Sequence, residues 1–258
     1  MIVDKINEYL TGNPTAIEEV LQEASEIQRH IFNRQFMKEG GRGQYLGLSQ
    51  AGRCPRQSAY QLLGFEHNGK EKDSRSKIVF YMGDVTEMMV YLLAKLAGCE
   101  IEKGGLNQER VSFKVGDKEV YGHPDGLYNG HLVEIKSMTS FSFKDFQKGI
   151  IEPSYLSQIN TYLDALGLEK CIMIALNKDS GVLGEQIITK DPDIVAKAHD
   201  TLKLVLESTK EDLPKGWYSP DEKGFYPWNC LYCSYWKTCH EKAEKVLVKG
   251  KYKLKEGK

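Results

Sequence analysis

Several things are missing from this 258-residue sequence, and each absence narrows the field. No apolar run is long enough to span a bilayer and no signal-peptide pattern is present, so the expected compartment is the cytoplasm, with no membrane partner. No excess of one charge exists either. Lys and Arg total 35 against 36 Asp and Glu, a net charge of −1. A nucleic-acid partner would therefore have to be met by a local basic groove, not by a global field. Internal repeats and low-complexity segments are absent as well, which argues against a solenoid or a disordered chain. What remains is ordinary globular composition, 41% hydrophobic and 28% charged, in a chain long enough to bury one α/β core with extensions.

With no oxidising compartment implied, the six cysteines are read for metal instead of disulfides. Cys99 follows an apolar helix and Cys171 sits inside an apolar strand, so both are expected to be small buried hydrophobes. The other four are Cys54 and the group Cys230-x-x-Cys233-x₅-Cys239. Four thiolates suit either zinc or a [4Fe–4S] cluster, and spacing alone does not choose. The second C-x-x-C knuckle common at zinc sites is lacking, and His240 could stand in for Cys239 in a zinc site. Tyr226, Pro227, Trp228, Tyr232, Tyr235 and Trp236 supply an apolar wrapping.

The stretch His131–Ser137 organises the rest. It alternates as a strand, with Leu132, Glu134 and Lys136 on one face and Val133 and Ile135 on the other. Before it lies a tight acidic turn, Gly122-His123-Pro124-Asp125-Gly126, and a short hairpin brings Asp125 back beside Glu134. Hydrolysis of a phosphodiester asks for a cation that polarises the phosphate and lowers the pKa of a bound water. Hard cations such as Mg²⁺ or Mn²⁺ take oxygen ligands. Asp125 and Glu134 offer two carboxylates, the Ile135 carbonyl a third oxygen, and Glu87 on the preceding helix a fourth. Lys136 would position and help deprotonate the water, or stabilise charge on the phosphate. Gln158 and Tyr162, on one face of a helix at i and i+4, could contact the phosphate or hold the active loop. Arg53, Arg56 and Lys136 are the cations expected to meet DNA, and Phe141, Phe143, Phe146 and Tyr155 are aromatics that could stack on bases or belong to the core.

The remaining pattern gives the architecture. Residues 1–45 read as helix, with Asn13-Pro14 as a start signal. Gly40–Gly43 is a flexible break, residues 66–77 form an exposed loop, and Lys77–Ala97 is a strong helix in which Gly83 would let another backbone come close. Strands at 110–115 and 119–121 flank a Gly116-Asp117 turn. Thr139–Lys148 is a lid or short helix, Pro153–Leu166 a helix closed by Gly167, Lys170–Leu176 and Gly184–Thr189 strands, and Asp191–Ser208 an amphipathic helix. This is a mixed sheet flanked by helices. Residues 241–258, with seven lysines against three glutamates, read as a solvated tail whose alternation permits an edge strand or a phosphate contact.

Taken in order, the Gly83/Glu87 helix, Pro124-Asp125, Glu134-Ile135-Lys136 and the Gln158-x-x-x-Tyr162 helix resemble the motifs of PD-(D/E)xK nucleases of the RecB type. The likeness covers roughly residues 50–240. One early and three late cysteines, with Arg53-Cys54-Pro55-Arg56 as the first motif, are similar to the iron–sulfur members, the CRISPR-associated RecB-like exonucleases among them. The resemblance implies a restriction-endonuclease-like α/β core in residues 49–240, an N-terminal helical extension in 1–48 and a lysine-rich tail in 241–258. It implies Mg²⁺ or Mn²⁺ on Glu87, Asp125, Glu134 and Ile135, and Lys136 as catalytic lysine with Gln158 and Tyr162 in support. A [4Fe–4S] cluster on Cys54, Cys230, Cys233 and Cys239 would staple the N- and C-terminal segments. The implied activity is exonucleolytic cleavage of single-stranded DNA or DNA ends, in CRISPR spacer processing or phage and bacterial recombination. The alternatives are a DNA-end-binding scaffold of an integration or recombination complex, acting with an integrase or recombinase partner and cutting only secondarily, and a zinc-stabilised endonuclease. The sequence departs from the iron–sulfur members at Glu87, where they commonly carry histidine.

Overall fold

The computed structural model describes residues 1–12, 14–15, 17–37, 44–68 and 74–257. In chain order the elements are helices α1 (Ile2–Thr11), α2 (Glu18–Phe32), α3 (Pro55–Leu62) and α4 (Ser74–Leu96), strands β1 (Val111–Val115), β2 (Lys118–Gly122), β3 (Gly126–Tyr128) and β4 (His131–Met138), helices α5 (Ser140–Gln147) and α6 (Pro153–Leu166), strands β5 (Lys170–Asn177) and β6 (Leu183–Thr189), helix α7 (Pro192–Leu206), the one-turn helices α8 (Trp228–Leu231) and α9 (Trp236–Cys239), and strands β7 (Ala243–Val248) and β8 (Lys251–Glu256). No described helix is long and apolar enough to cross a membrane.

The chain divides into two compact units. The first comprises residues 1–39, 47–52 and 75–199, and the second residues 40–46, 53–74 and 200–258.

In the first unit a four-stranded sheet runs β3-β4-β5-β6. β4 is antiparallel to β3 and parallel to β5, and β5 is antiparallel to β6. The parallel step needs a long crossover, which α5 and α6 provide. β4 is covered on both faces, so Leu132, Val133, Glu134 and Ile135 are all buried. Val133 and Ile135 join Ile172 and Ile174 of β5 in a cluster with Ile2, Val3 and Ile6 of α1, Val20, Ile27 and Ile31 of α2, and Val90, Leu92 and Ala94 of α4. The opposite face of β4 meets α6. β1 and β2 form a separate hairpin on which α6 also packs. Pro153 begins α6 with Glu152 capping Ser154 N at 3.0 Å, and Gly167, at φ 66°, ends it in a left-handed turn that favours glycine.

Two expectations change and one is narrowed. The first 45 residues are not one helix. Pro14 lacks an N–H and its ring clashes with the carbonyl four residues back, so the chain leaves α1 at Gly12 and α2 starts only at Glu18, with Ile17 as N-cap. Asn13 of the expected start signal, the Gly40–Gly43 break and residues 69–73 of the expected loop lie outside the described residues. Of the two readings of Thr139–Lys148, lid or short helix, the segment takes the second. It holds a helix whose N-cap Thr139 accepts from Ser142 N, and which buries Phe143 and Phe146. Gly83 is not a close-approach point, because among the described residues a Cβ there would meet nothing within 4 Å.

In the second unit the lysine-rich segment is neither a loose tail nor an edge of the central sheet. Its alternation closes on itself through Lys249-Gly250, both at positive φ, as the β7–β8 hairpin. Ala243 and Leu254 from one face of that hairpin pack with Cys230, Leu231 and Trp236.

Candidate active site and cysteine cavity

The site begins with a turn. Asn129 and Gly130 both have positive φ, 49° and 73°, as a two-residue hairpin loop requires. That loop sets the pairing Tyr128↔His131 and Gly126↔Val133, and one step further along the same register Asp125 lies opposite Glu134. There the ladder gives way to a side chain. Asp125 Oδ2 accepts from Ile135 N–H at 2.7 Å. A residue's N–H and C=O leave a strand on the same edge, so the Ile135 carbonyl also projects toward Asp125. Gly126 is needed at the bend. Its φ is 150°, and a Cβ would meet Ile101 Cγ2 at 2.4 Å and the Glu102 carbonyl at 2.9 Å.

Glu134 is fully buried, on the α6 side of β4. Its Oε1 accepts from Lys136 Nζ and from Gln158 Nε2, the latter at 2.8 Å. Its Oε2 is buried with no partner among the described residues. A buried, unpaired carboxylate oxygen is costly and asks for an explanation. Lys136 Nζ also lies 5.4 Å from the centre of the Tyr155 ring. One turn beyond Gln158, Tyr162 donates from its hydroxyl to the His123 carbonyl at 3.2 Å and so holds the loop that leads to Asp125. Gly122 makes room for it, since a Cβ there would lie 2.6 Å from Tyr162 Cε1.

Glu87 of α4 completes the group. Its Oε1 accepts from Gln108 Nε2. Burial, then the Glu134 charge, pushes its carboxyl up to about 7. Asp125 is pushed well above the usual range by burial, then by Glu87 and Glu134. Burial pulls Lys136 down, but Glu134 and Asp125 outweigh it and leave it raised. The electrostatic signature is two half-buried carboxyls, Glu87 and Asp125, raised beside the buried Glu134, with the Lys136 ammonium among them.

No family model matches the chain, and no curated protein does. Among solved structures the chain is similar to SSO0001, with 20% identity and a TM-score of 0.49 over 82% of this chain and 93% of that one. It is also similar to LHK-Exo in complex with dAMP, with 16% identity and a TM-score of 0.45 over 69% of this chain and 90% of that one. A further structure of that alkaline exonuclease, from Laribacter hongkongensis, gives 14% identity and a TM-score of 0.35 over the same shares. Likenesses this distant assign no chemistry.

All seven residues expected at the site, Glu87, Asp125, Glu134, Ile135, Lys136, Gln158 and Tyr162, fall in the first unit. Among the described residues no three His, Cys, Asp or Glu side chains stand in a ready metal-binding arrangement. The donors nonetheless suit a hard divalent cation: they are carboxylate oxygens, one of them without a partner among the described residues, in a cluster with more negative than positive charge. Gln108 was not foreseen, because a lone glutamine in a polar turn carries no pattern. The expected base-stacking aromatics part company. Phe143 and Phe146 are core, Tyr155 lies beside Lys136, and Phe141 is 79% exposed.

The second unit gathers the other expected group. Cys54, Cys230, Cys233 and Cys239 line one cavity with Tyr60, Tyr218, Trp236 and His240. Pro55 starts α3 directly after Cys54, and α8 and α9 carry Cys230 and Cys239. Burial, then the Cys233, Cys239 and Cys54 charges, pushes the Cys230 thiol up to about 12. Burial is also the main cause that takes Cys233 to about 11 and raises Cys239. Four thiols on one cavity, three of them raised, are residues that could hold a metal or cluster, which would supply positive charge there. Arg56, expected to meet DNA, is engaged here instead: its Nε donates to the Pro214 carbonyl at 2.8 Å, and its charge lowers Cys239. Cys99 and Cys171 are fully buried in the first unit, as hydrophobes.

Proposed function

We propose that this chain is a Mg²⁺- or Mn²⁺-dependent deoxyribonuclease, an exonuclease of the PD-(D/E)xK kind that acts on single-stranded DNA or DNA ends. The observation that carries this reading is Glu134, a fully buried carboxylate with one oxygen unpartnered among the described residues, placed by register opposite Asp125 and electrostatically coupled to Glu87. A divalent cation held there would polarise the phosphodiester and make its water acidic. The protein's own part is preorganisation. The Ile135 N–H fixes Asp125, Gln158 fixes Glu134, and Tyr162 fixes the 122–125 loop. The Lys136 ammonium, held between Glu134 and the Tyr155 ring, is set to stabilise charge that builds on the phosphate. Of the two roles considered for Lys136, this geometry favours charge stabilisation.

The four cysteines are assigned to a [4Fe–4S] cluster, with zinc as the alternative because His240 lines the same cavity. The group's role is structural: it joins residues 53–62 to residues 228–240, and its binding free energy is folding free energy for that unit. CRISPR spacer processing or phage and bacterial recombination is the setting that the resemblance implies.

The test is cleavage of end-labelled linear single-stranded DNA with and without chelator, beside covalently closed circular DNA. Linear DNA should be degraded only with Mg²⁺ or Mn²⁺, and closed circles spared. Asp125→Ala, Glu134→Ala and Lys136→Ala should each lose roughly 10³-fold or more in rate. Parent-rate cleavage by Lys136→Ala would sink the assignment.

A further inference from the structure

Charge in this chain is segregated. Residues 241–258 hold seven Lys and three Glu, and the remaining 240 residues hold 28 Lys and Arg against 33 Asp and Glu. The basic excess therefore sits in the C-terminal 18 residues, most of them in the β7–β8 hairpin, which holds five of the seven lysines against two glutamates and which the site chemistry does not use.

The register sorts that hairpin into two unlike faces. Leu254 pairs with Lys245 and Glu256 with Ala243, and on that face Ala243 and Leu254 are buried against Cys230, Leu231 and Trp236. The other face carries Lys251 opposite Val248, Lys253 opposite Val246 and Lys255 opposite Glu244. All three lysines are exposed, and among the described residues none forms an ion pair. Alternate residues of a strand repeat at about 6.8 Å, so the three lysines leave the same face of β8 at that step.

An aromatic ring lies within the row. Phe225 bridges Lys255 as a third strand position, fixed by Tyr226 N–H donating to the Leu254 carbonyl at 2.9 Å and Glu256 N–H donating to the Gly224 carbonyl at 2.8 Å. Lys253 Nζ and Lys255 Nζ lie 5.1 and 5.6 Å from the Phe225 ring centre. Two ammonium groups are thus held over one ring, which cuts the side-chain freedom that a loose lysine would lose on binding.

We propose that the outward face of this hairpin, Lys251, Lys253 and Lys255 with Phe225, is a second binding surface for the phosphodiester backbone of single-stranded DNA, separate from the carboxylate site. A regular row of cations along an extended strand matches the repeated phosphates of an extended nucleic-acid strand. A protein with no net positive charge has to concentrate its affinity for a polyanion in such a patch. The row carries no base-edge chemistry, so it binds without sequence preference. This proposal stands apart from the hydrolytic one, since it uses none of the same residues.

The test is fluorescence anisotropy of a labelled oligothymidylate with the full chain, in chelator, across a salt series. Lys251→Gln/Lys253→Gln/Lys255→Gln should weaken binding roughly tenfold, and the slope of log affinity against log salt should become shallower by about 2. The matching triple Arg variant should keep parent affinity. The substitutions are at exposed positions, so an unchanged melting temperature is expected and checks the fold. Unchanged affinity and slope in the Gln variant overturn the proposal. So does a loss confined to phosphatidylserine vesicles, which would make the row a membrane contact. If oligothymidylate binding depends on the row while no cleavage is found in any cation, the second surface stands and the nuclease reading falls.

Discussion

Lys136 is the most informative residue to remove, because its ammonium bears on stability and on cleavage in different ways. Lys136→Met keeps most of the side chain's length and apolar stem but deletes the ammonium that Glu134 Oε1 accepts from. The Glu134 side chain is 1% exposed and that of Lys136 20%. Breaking a buried ion pair on one side costs about 3–5 kcal/mol, and the partial exposure of the lysine puts this case toward the low end, about 2–4 kcal/mol. For a unit of this size each kcal/mol moves the melting temperature by about 2–4 °C, so a fall of roughly 5–15 °C is expected in chelator. A divalent cation should reverse it. At a hundredfold excess over its Kd, binding adds about 2.7 kcal/mol, and the variant offers a more negative pocket than the parent. The assay is thermal unfolding of parent and variant with chelator, Mg²⁺ and Mn²⁺. The expected pattern is a lower transition for the variant in chelator, a larger upward shift with cation than in the parent, and no DNA cleavage in either condition. A variant that melts within about 2 °C of the parent in chelator, and that no divalent cation stabilises, would refute the idea that Lys136 is the counter-charge of a cation site.

Glu87→Gln should act in the opposite direction: it removes the carboxyl that burial, and then the Glu134 charge, hold at about 7, so the chelated protein should melt higher while metal-dependent cleavage drops, and a lower transition would contradict that penalty. Iron, sulfide and zinc analysis of the six single Cys→Ser variants should show metal lost for Cys54, Cys230, Cys233 and Cys239 and retained for Cys99 and Cys171. Full iron and an unchanged visible spectrum in Cys54→Ser would remove Cys54 from the group, and one zinc without iron in the parent would select the alternative metal.

The parts of the chain that could be read in advance are those where one local signal decides. The alternation of His131–Ser137 marks β4, and Pro153 and Gly167 bound α6, as terminators with fixed backbone demands do. The mixed sheet between helices follows from the order of such elements. What could not be read depended on partners distant in sequence. Helical periodicity in residues 1–45 hid the interruption between α1 and α2. The aromatics of α5 looked alike, yet Phe143 and Phe146 face the core and Phe141 does not. The lysines of 241–258 suggested a solvated tail, because a hairpin buried on one face by two small contacts, Ala243 and Leu254, has little hydrophobic signal of its own. Glu87 could be named in advance as a further oxygen donor, but Gln108, which holds it, only from the structure.

The Asn129-Gly130 turn has a consequence for how such a site is spaced. In an antiparallel pair closed by a two-residue loop, opposed residues always sit an odd number of positions apart. Tyr128 and His131 differ by three, Gly126 and Val133 by seven, and Asp125 and Glu134 by nine. Longer arms would add two positions at a time and keep the two carboxylates on one side of the pleat. Adding a single residue to the loop would make every opposed interval even, or else turn one acid through the sheet and away from its counterpart. Parity, more than distance, is the quantity that this hairpin conserves.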